Sequence, residues 1–257
     1  MSALCYESPV LRVGGFAFEP GEVRPHPGRV TVLLGPNGGG KTTALRLAAG
    51  LAVPGSGRVA LGGVAVHAMR PPERARAVAM VVQRPQVSAP FTALEVVALG
   101  AAAAGAGPCS AGEALRAVGL SGRAGVPFAQ MSGGEQQRVA VARAFHQHRP
   151  GGVLLLDEAF AAVDPPEAAS IVAAVRIRAA AGATVLAATH DLALASALAD
   201  DAWFVTGGRT AAFGPAIDLL APAVLGAFLG VKVTAATGAR GPVAAADLAD
   251  RLQAEST

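Results

Sequence analysis

The stretch "VTVLLGPNGGGKTTALRLAAGLA", Val30 to Ala52, constrains this chain more than any other. A short apolar run with β-branched residues stops at Gly35, glycines follow, and an alanine- and leucine-rich segment begins at Lys41. That order reads as strand, loop and helix. Gly35, Gly40, Lys41 and Thr42 satisfy the phosphate-loop spacing, and the strand before and helix after separate it from a chance glycine-rich turn. Glycines let successive backbone N–H groups curl around a phosphate, and the helix N-terminus adds partial positive charge. The loop Gly35, Pro36, Asn37, Gly38, Gly39 and Gly40, with Thr43 behind it, is therefore expected to hold a nucleoside triphosphate. Lys41 would neutralise the β- and γ-phosphates, and the Thr42 hydroxyl would ligate Mg²⁺.

Further apolar runs at Ala77–Val82, Gly152–Asp157 and Thr184–Thr189 read as strands buried on both faces, hence a largely parallel sheet. Between the first two of these lie nearly seventy residues of helical composition and spacing. The expected fold class is α/β, a P-loop NTPase whose mostly parallel sheet core carries an inserted α-helical subdomain at 84–149. Residues 1–257 form one domain in this reading, ending in a peripheral extension, 231–257, of one short strand and a polar-alanine helix.

Acidic and polar residues stand at the ends of these runs. "VLLLDE" closes with Asp157 and Glu158, and alternation along a strand points two neighbours in different directions. Asp157 is the candidate for the magnesium shell. Glu158 is the candidate to activate or position the attacking water. Gln83 and His190 follow two other candidate strands, and in open α/β sheets ligands sit at the carboxyl ends. Either alone would be an ordinary polar residue at a loop entrance; together with the acidic pair they suggest convergence on one phosphate.

"MSGGEQQR", Met131 to Arg138, poses a different problem. Ser132 and Glu135 match a capping box at a helix start, and such a start is also an anion site. Ser132, Gly133, Gly134 and Glu135 thus offer a second phosphate-holding device in a chain that already has one. A second site implies another nucleotide, or one carried by another subunit.

Composition excludes more than it selects. The longest apolar runs fall short of the eighteen or so residues a membrane-spanning helix needs, and "MSALCYESPV" shows no basic or apolar leader segment, so no signal peptide is expected. Two cysteines, Cys5 and Cys109, lack metal-like spacing and fit a reduced, cytosolic setting. The net charge of +3 comes from scattered arginines without interleaved aromatics, which points away from nucleic acid.

Taken together, "GPNGGGKTT", Gln83, "MSGGEQQR", "VLLLDE" and "ATHD", in that order, resemble the ATP-binding subunits of ABC transporters over about Val30 to Val233. The resemblance implies ATP and Mg²⁺ as ligands, with Thr42, Gln83 and Asp157 at the metal. It implies a head-to-tail homodimer sandwiching two ATP, in which Ser132 and Gly134 face the partner's γ-phosphate. Gln83 corresponds to the glutamine sensing γ-phosphate and metal, His190 to the switch histidine, and Asp164 in "AAVD" to the aspartate communicating across the dimer. Two transmembrane permease subunits, an extracytoplasmic solute-binding protein reached through them, and a peripheral place on the cytoplasmic membrane face are implied as well. Ala159 stands where the family usually has proline, and "AAVD" replaces the commoner serine-alanine-leucine-aspartate. The adenine-stacking aromatic is left open among Tyr6, Phe16 and Phe18. "PFTALEVVALG" and the ending "AAFGPAIDLLAPAVLGAFLGVKV" resemble the subgroup serving importers of iron-siderophores, haem or cobalamin. Thr92 and Glu95 in the first could equally be a capping box. Zinc, manganese or other solute importers are the near alternatives, and a soluble ABC-type ATPase on ribosomes or DNA the more distant one.

Overall fold

The computed structural model describes residues 3–105, 109–230, 233–238 and 241–246. In chain order the first half holds β1 (Leu4–Val13), β2 (Phe16–Phe18), β3 (Glu22–Val23), β4 (Val30–Leu34), α1 (Lys41–Ala48), β5 (Ser56–Leu61), β6 (Val64–Ala65), α2 (Pro71–Ala77) and β7 (Val78–Val81). Three helices follow, α3 (Ala93–Ala104), α4 (Ala111–Ala117) and α5 (Gly133–Gln147). Then come β8 (Val153–Asp157), α6 (Pro165–Ala180), β9 (Thr184–Ala188), α7 (Leu192–Leu198), β10 (Asp201–Thr206) and β11 (Arg209–Pro215). The chain continues through α8 (Ala216–Leu219), α9 (Pro222–Leu229), β12 (Val233–Gly238) and β13 (Gly241–Ala246).

A six-stranded sheet in the order β11-β10-β4-β9-β8-β7 forms the centre. Its inner pairings are parallel, and only β11 runs antiparallel. Every residue of β4, β8 and β9 is buried, because both faces are covered. Val32, Leu156 and Ala187 point into a core shared with α5, α6 and α7. Leu33, Leu155 and Leu186 point the other way, against α1 and a second sheet.

That second sheet, in the order β2-β1-β5-β6 with β3 on β1, is antiparallel. Nothing before Val30 reads as strand in the sequence, and the reason is visible in β1. Its register shifts between Glu7 and Val10 around Ser8, at φ +44°, and Pro9, which cannot donate to a ladder. The bulge breaks the alternation that Leu4 and Tyr6, both buried, begin.

Among the described residues, those between β7 and β8 contain α3, α4 and α5 and no strand. At the chain's end the structure corrects the expectation of a strand followed directly by a helix. Val233–Gly238 and Gly241–Ala246 pair as an antiparallel hairpin, Ala235 opposite Ala244, so the first alanines of the expected helix are strand. Alanine's helix preference is weak beside a ladder that satisfies its backbone. The remainder of that expected helix, residues 247–257, lies outside the described residues.

Candidate functional site

Parallel register brings the carboxyl ends of four strands to one edge. Leu33 of β4 pairs with Ala188 of β9, and Ala188 with Asp157 of β8. Leu156 pairs with Val81 of β7. The residues that follow these strands therefore meet around one cavity of about 760 Å³, lined by Phe16, the loop from Asn37 to Thr43, Gln83, Glu158 and His190.

The loop closes on itself through the Gly39 N–H to the Pro36 carbonyl, 3.1 Å, and is tied to the β10–β11 turn by the Gly208 N–H donating to Gly39. Gly40 caps α1 at φ +115°, and a Cβ there would strike the Phe18 ring at 2.8 Å. Only glycine accepts both conditions. Lys41 is buried and its Nζ donates to the carbonyls of Gly35 (2.7 Å) and Pro36 (3.0 Å). Burial pushes its pKa below the usual lysine value, and the carboxylates of Glu158 and Asp157 oppose that.

The Thr42 hydroxyl donates to Asp157 Oδ1 at 3.1 Å. Two hard oxygen donors thus stand together beside the phosphate loop. This set fits Mg²⁺, which takes one or two protein oxygens and completes its shell with water and substrate phosphates. Asp157 is buried, which raises its pKa; the Thr42 hydrogen bond works against that. Glu158 adopts φ +47°, so its side chain leaves the strand line of Asp157. Oε2 accepts from Gln83 Nε2 at 2.5 Å, and Oε1 lies 3.6 Å from His190 Nδ1. His190 is held by its neighbours: Thr189 Oγ1 accepts from the Asp191 N–H, and Asp191 caps α7 through the Leu194 N–H.

Ser132, Gly133, Gly134, Glu135 and Asp164 do not line this cavity. The Ser132 side chain caps α5 by accepting from the Glu135 N–H at 3.3 Å, while Glu135 accepts from the Ser132 N–H at 2.9 Å. That backbone bond, reinforced by Arg123, holds the Glu135 carboxyl below its ordinary pKa. Ser132 and Gly133 are exposed, so the head of α5 presents free backbone donors to a ligand from outside. Asp164 is the N-cap residue of α6 without a side-chain capping bond.

The three aromatic candidates separate cleanly. Tyr6 is wholly buried and donates to the Ala44 carbonyl at 2.8 Å. Phe18 is wholly buried under Gly40. Only Phe16 among them lines the cavity. One contact lay beyond sequence reasoning: the buried Gln137 of α5 donates to the Val82 carbonyl at 3.4 Å, joining that helix to the backbone just before Gln83. A glutamine in a polar helix start carries no signal that it will be buried.

The family described as "ABC transporter" matches residues 21–161. The chain is 36% identical over 230 residues to the hemin import ATP-binding protein HmuV of Agrobacterium fabrum, covering 86% of this chain and 88% of that one. It is 38% identical over 226 residues to the protein of the same name from Roseobacter denitrificans, covering 85% and 84%. Among solved structures, an ATP-binding subunit of an ABC transporter superposes with a TM-score of 0.75 at 26% identity, covering 84% of this chain and 91% of that one.

Proposed function

The chain belongs to the ABC transporter ATP-binding family, and from that premise we propose that it is the ATPase subunit of a haem or related metal-chelate importer. Its relatives' hemin import role supports that cargo class. In this reading the subunit works as a head-to-tail homodimer, with two ATP held between the phosphate loop of one copy and the head of α5 of the other.

One observation carries the dimer. The phosphate loop, Gln83, Glu158 and His190, from four strand ends, converge on one cavity, while Ser132 and Gly133 are exposed outside it. A phosphate-holding helix start that cannot reach its own chain's nucleotide is complete only with a second copy. Within each site Lys41 and the loop amides hold the phosphates, and Phe16 stacks on the adenine. Thr42, Asp157 and Gln83 would hold Mg²⁺, which would neutralise charge on the phosphate oxygens. Glu158 takes a proton from the water that attacks the γ-phosphorus, the bond to the ADP oxygen breaks, and His190 stabilises the transferring phosphoryl group. Asp164 communicates across the dimer, and residues 84–149 move as the helical subdomain bearing Ser132.

Among the described residues no helix is long and apolar enough to cross a membrane, so attachment at the cytoplasmic face falls to two permease subunits, with a solute-binding protein beyond them. Leu51, 62% exposed, lines a cleft with Ala49, Val78 and Met80 and supports a protein partner on that face. The test is light scattering of Glu158→Gln with saturating Mg·ATP. A stable dimer that reverts to monomer when nucleotide is removed is expected; a monomer throughout overturns the shared-site reading.

A further inference from the structure

At the head of α5 the backbone of Gly134 lies against the carbonyl oxygen of Ala162, so that a Cβ at 134 would fall inside 3.0 Å of it. One residue earlier, a Cβ on Gly133 would meet nothing within 4 Å. The obstacle at Gly134 is main chain, not the tip of a side chain that could swing away.

Ala162 holds φ +59°, in the left-handed region that an alanine side chain disfavours. It occupies the third position of a turn closed by the Val163 N–H to the Phe160 carbonyl at 3.2 Å, where type II turns need positive φ and favour glycine. An overlapping turn precedes it, the Ala161 N–H donating to the Glu158 carbonyl at 3.1 Å. Two hydrogen-bonded turns therefore run without a break from the oxygen that touches Gly134 back to Glu158, itself left-handed at φ +47°. Strain held at two places by surrounding structure marks a segment whose exact path matters.

We propose that Gly134 and the left-handed Ala162 form a buttress within one chain that sets the position of Glu158 against that of Ser132. The inference rests on the proposed function, in which Ser132 serves the partner's nucleotide while Glu158 acts on the chain's own. Glycine at 134 is then a positioning residue. Its missing Cβ lets the turn seat on α5, and movement of the helix head onto one nucleotide is passed through two short turns to the carboxylate at the other. The two sites of a dimer are coupled by packing as well as by shared ligands.

A double-variant cycle on the full chain tests this, reading Mg·ATP turnover and nucleotide affinity. Gly134→Ala displaces the turn and is expected to lower kcat by about tenfold or more; because the head of α5 also holds the partner's nucleotide, rescue by a second substitution, not KM, separates the two roles of this glycine. Ala162→Gly frees the turn to shift; alone it changes kcat by less than about twofold, and combined with Gly134→Ala it restores several-fold of the lost kcat. A double variant no faster than Gly134→Ala would mean that the glycine serves only the neighbouring phosphate, and the buttress falls. If Gly134→Ala does not fold, Ala162→Val strains the same turn at its left-handed residue and leaves the sequence of α5 unchanged. It is expected to lower kcat with ATP affinity unchanged, and wild-type kcat in that variant also overturns the proposal. Wild-type and Glu158→Gln chains are run alongside by light scattering, so that absence of an ATP-driven dimer counts against the proposed function rather than the buttress.

Discussion

Asp157 and Glu158 show how much one backbone angle decides at the scale of a residue. Alternation along a strand predicts that neighbouring carboxylates diverge, and they do: Asp157 meets Thr42, Glu158 meets Gln83 and His190. The cause differs from the expectation, because the chain has already left the extended conformation at Glu158, φ +47°. The acidic pair was legible because two carboxylates closing an apolar run stand out locally; the angle was not, because it belongs to a turn that meets α5 far along the chain. His148 makes the same point for stability. It is 5% exposed, its Nε2 lacks a hydrogen-bond partner, and burial lowers its pKa to about 4, with the Gly152 backbone bond opposing. At neutral pH the imidazole is uncharged in both states. As pH falls through 6.5 the unfolded chain binds the proton while the folded chain resists until about 4. Stability is therefore lost across that window, by about 3 kcal/mol in total. Urea unfolding at stepped pH should show His148→Gln with a shallower loss than wild type; parallel curves would refute the assignment.

At the scale of elements, α3, α4 and α5 each begin with a capping box: Thr92 with Glu95, Ser110 with Glu113, Ser132 with Glu135. The same local chemistry therefore serves two purposes, and mutation separates them. Ser110→Ala is expected to cost about 1 kcal/mol of stability and leave ATP turnover unchanged. Ser132→Ala should cost a similar amount and in addition lower turnover by about tenfold or more, because that serine also faces a nucleotide in the proposed dimer. Equal turnover in both variants would reduce Ser132 to a cap. The helices were legible because caps and spacing are local. The hairpin of β12 and β13 was not, since its alanines favour helix until the opposite strand satisfies their backbone.

At the scale of the whole molecule, the two sheets share one core. Tyr6 of β1 meets Trp203 of β10 edge to face at 4.9 Å, and its hydroxyl reaches α1. Trp203 donates to Thr210, which donates in turn to the Pro20 carbonyl. Packing this continuous leaves neither sheet a surface on which to melt alone. Trp203 is the chain's single tryptophan, so its emission reports the junction directly. Its red shift and the loss of helical circular dichroism are expected to coincide in one urea transition. Two separated transitions would show that the antiparallel sheet detaches first.

What the amino-acid sequence determined by itself was everything whose physics is local: the phosphate loop between its strand and helix, the buried parallel strands, the capped helices, and the acidic, glutamine and histidine side chains at strand ends. Tertiary structure alone decided which aromatic faces the cavity, since Tyr6, Phe16 and Phe18 differ only in what packs against them. It also decided that β1 continues through a bulge at Ser8 and Pro9 to find β5, and that Gly134 must give way to a carbonyl 28 residues further along the chain. Contacts between distant segments leave no period in the sequence, because each partner meets ordinary local rules until the fold brings the two together.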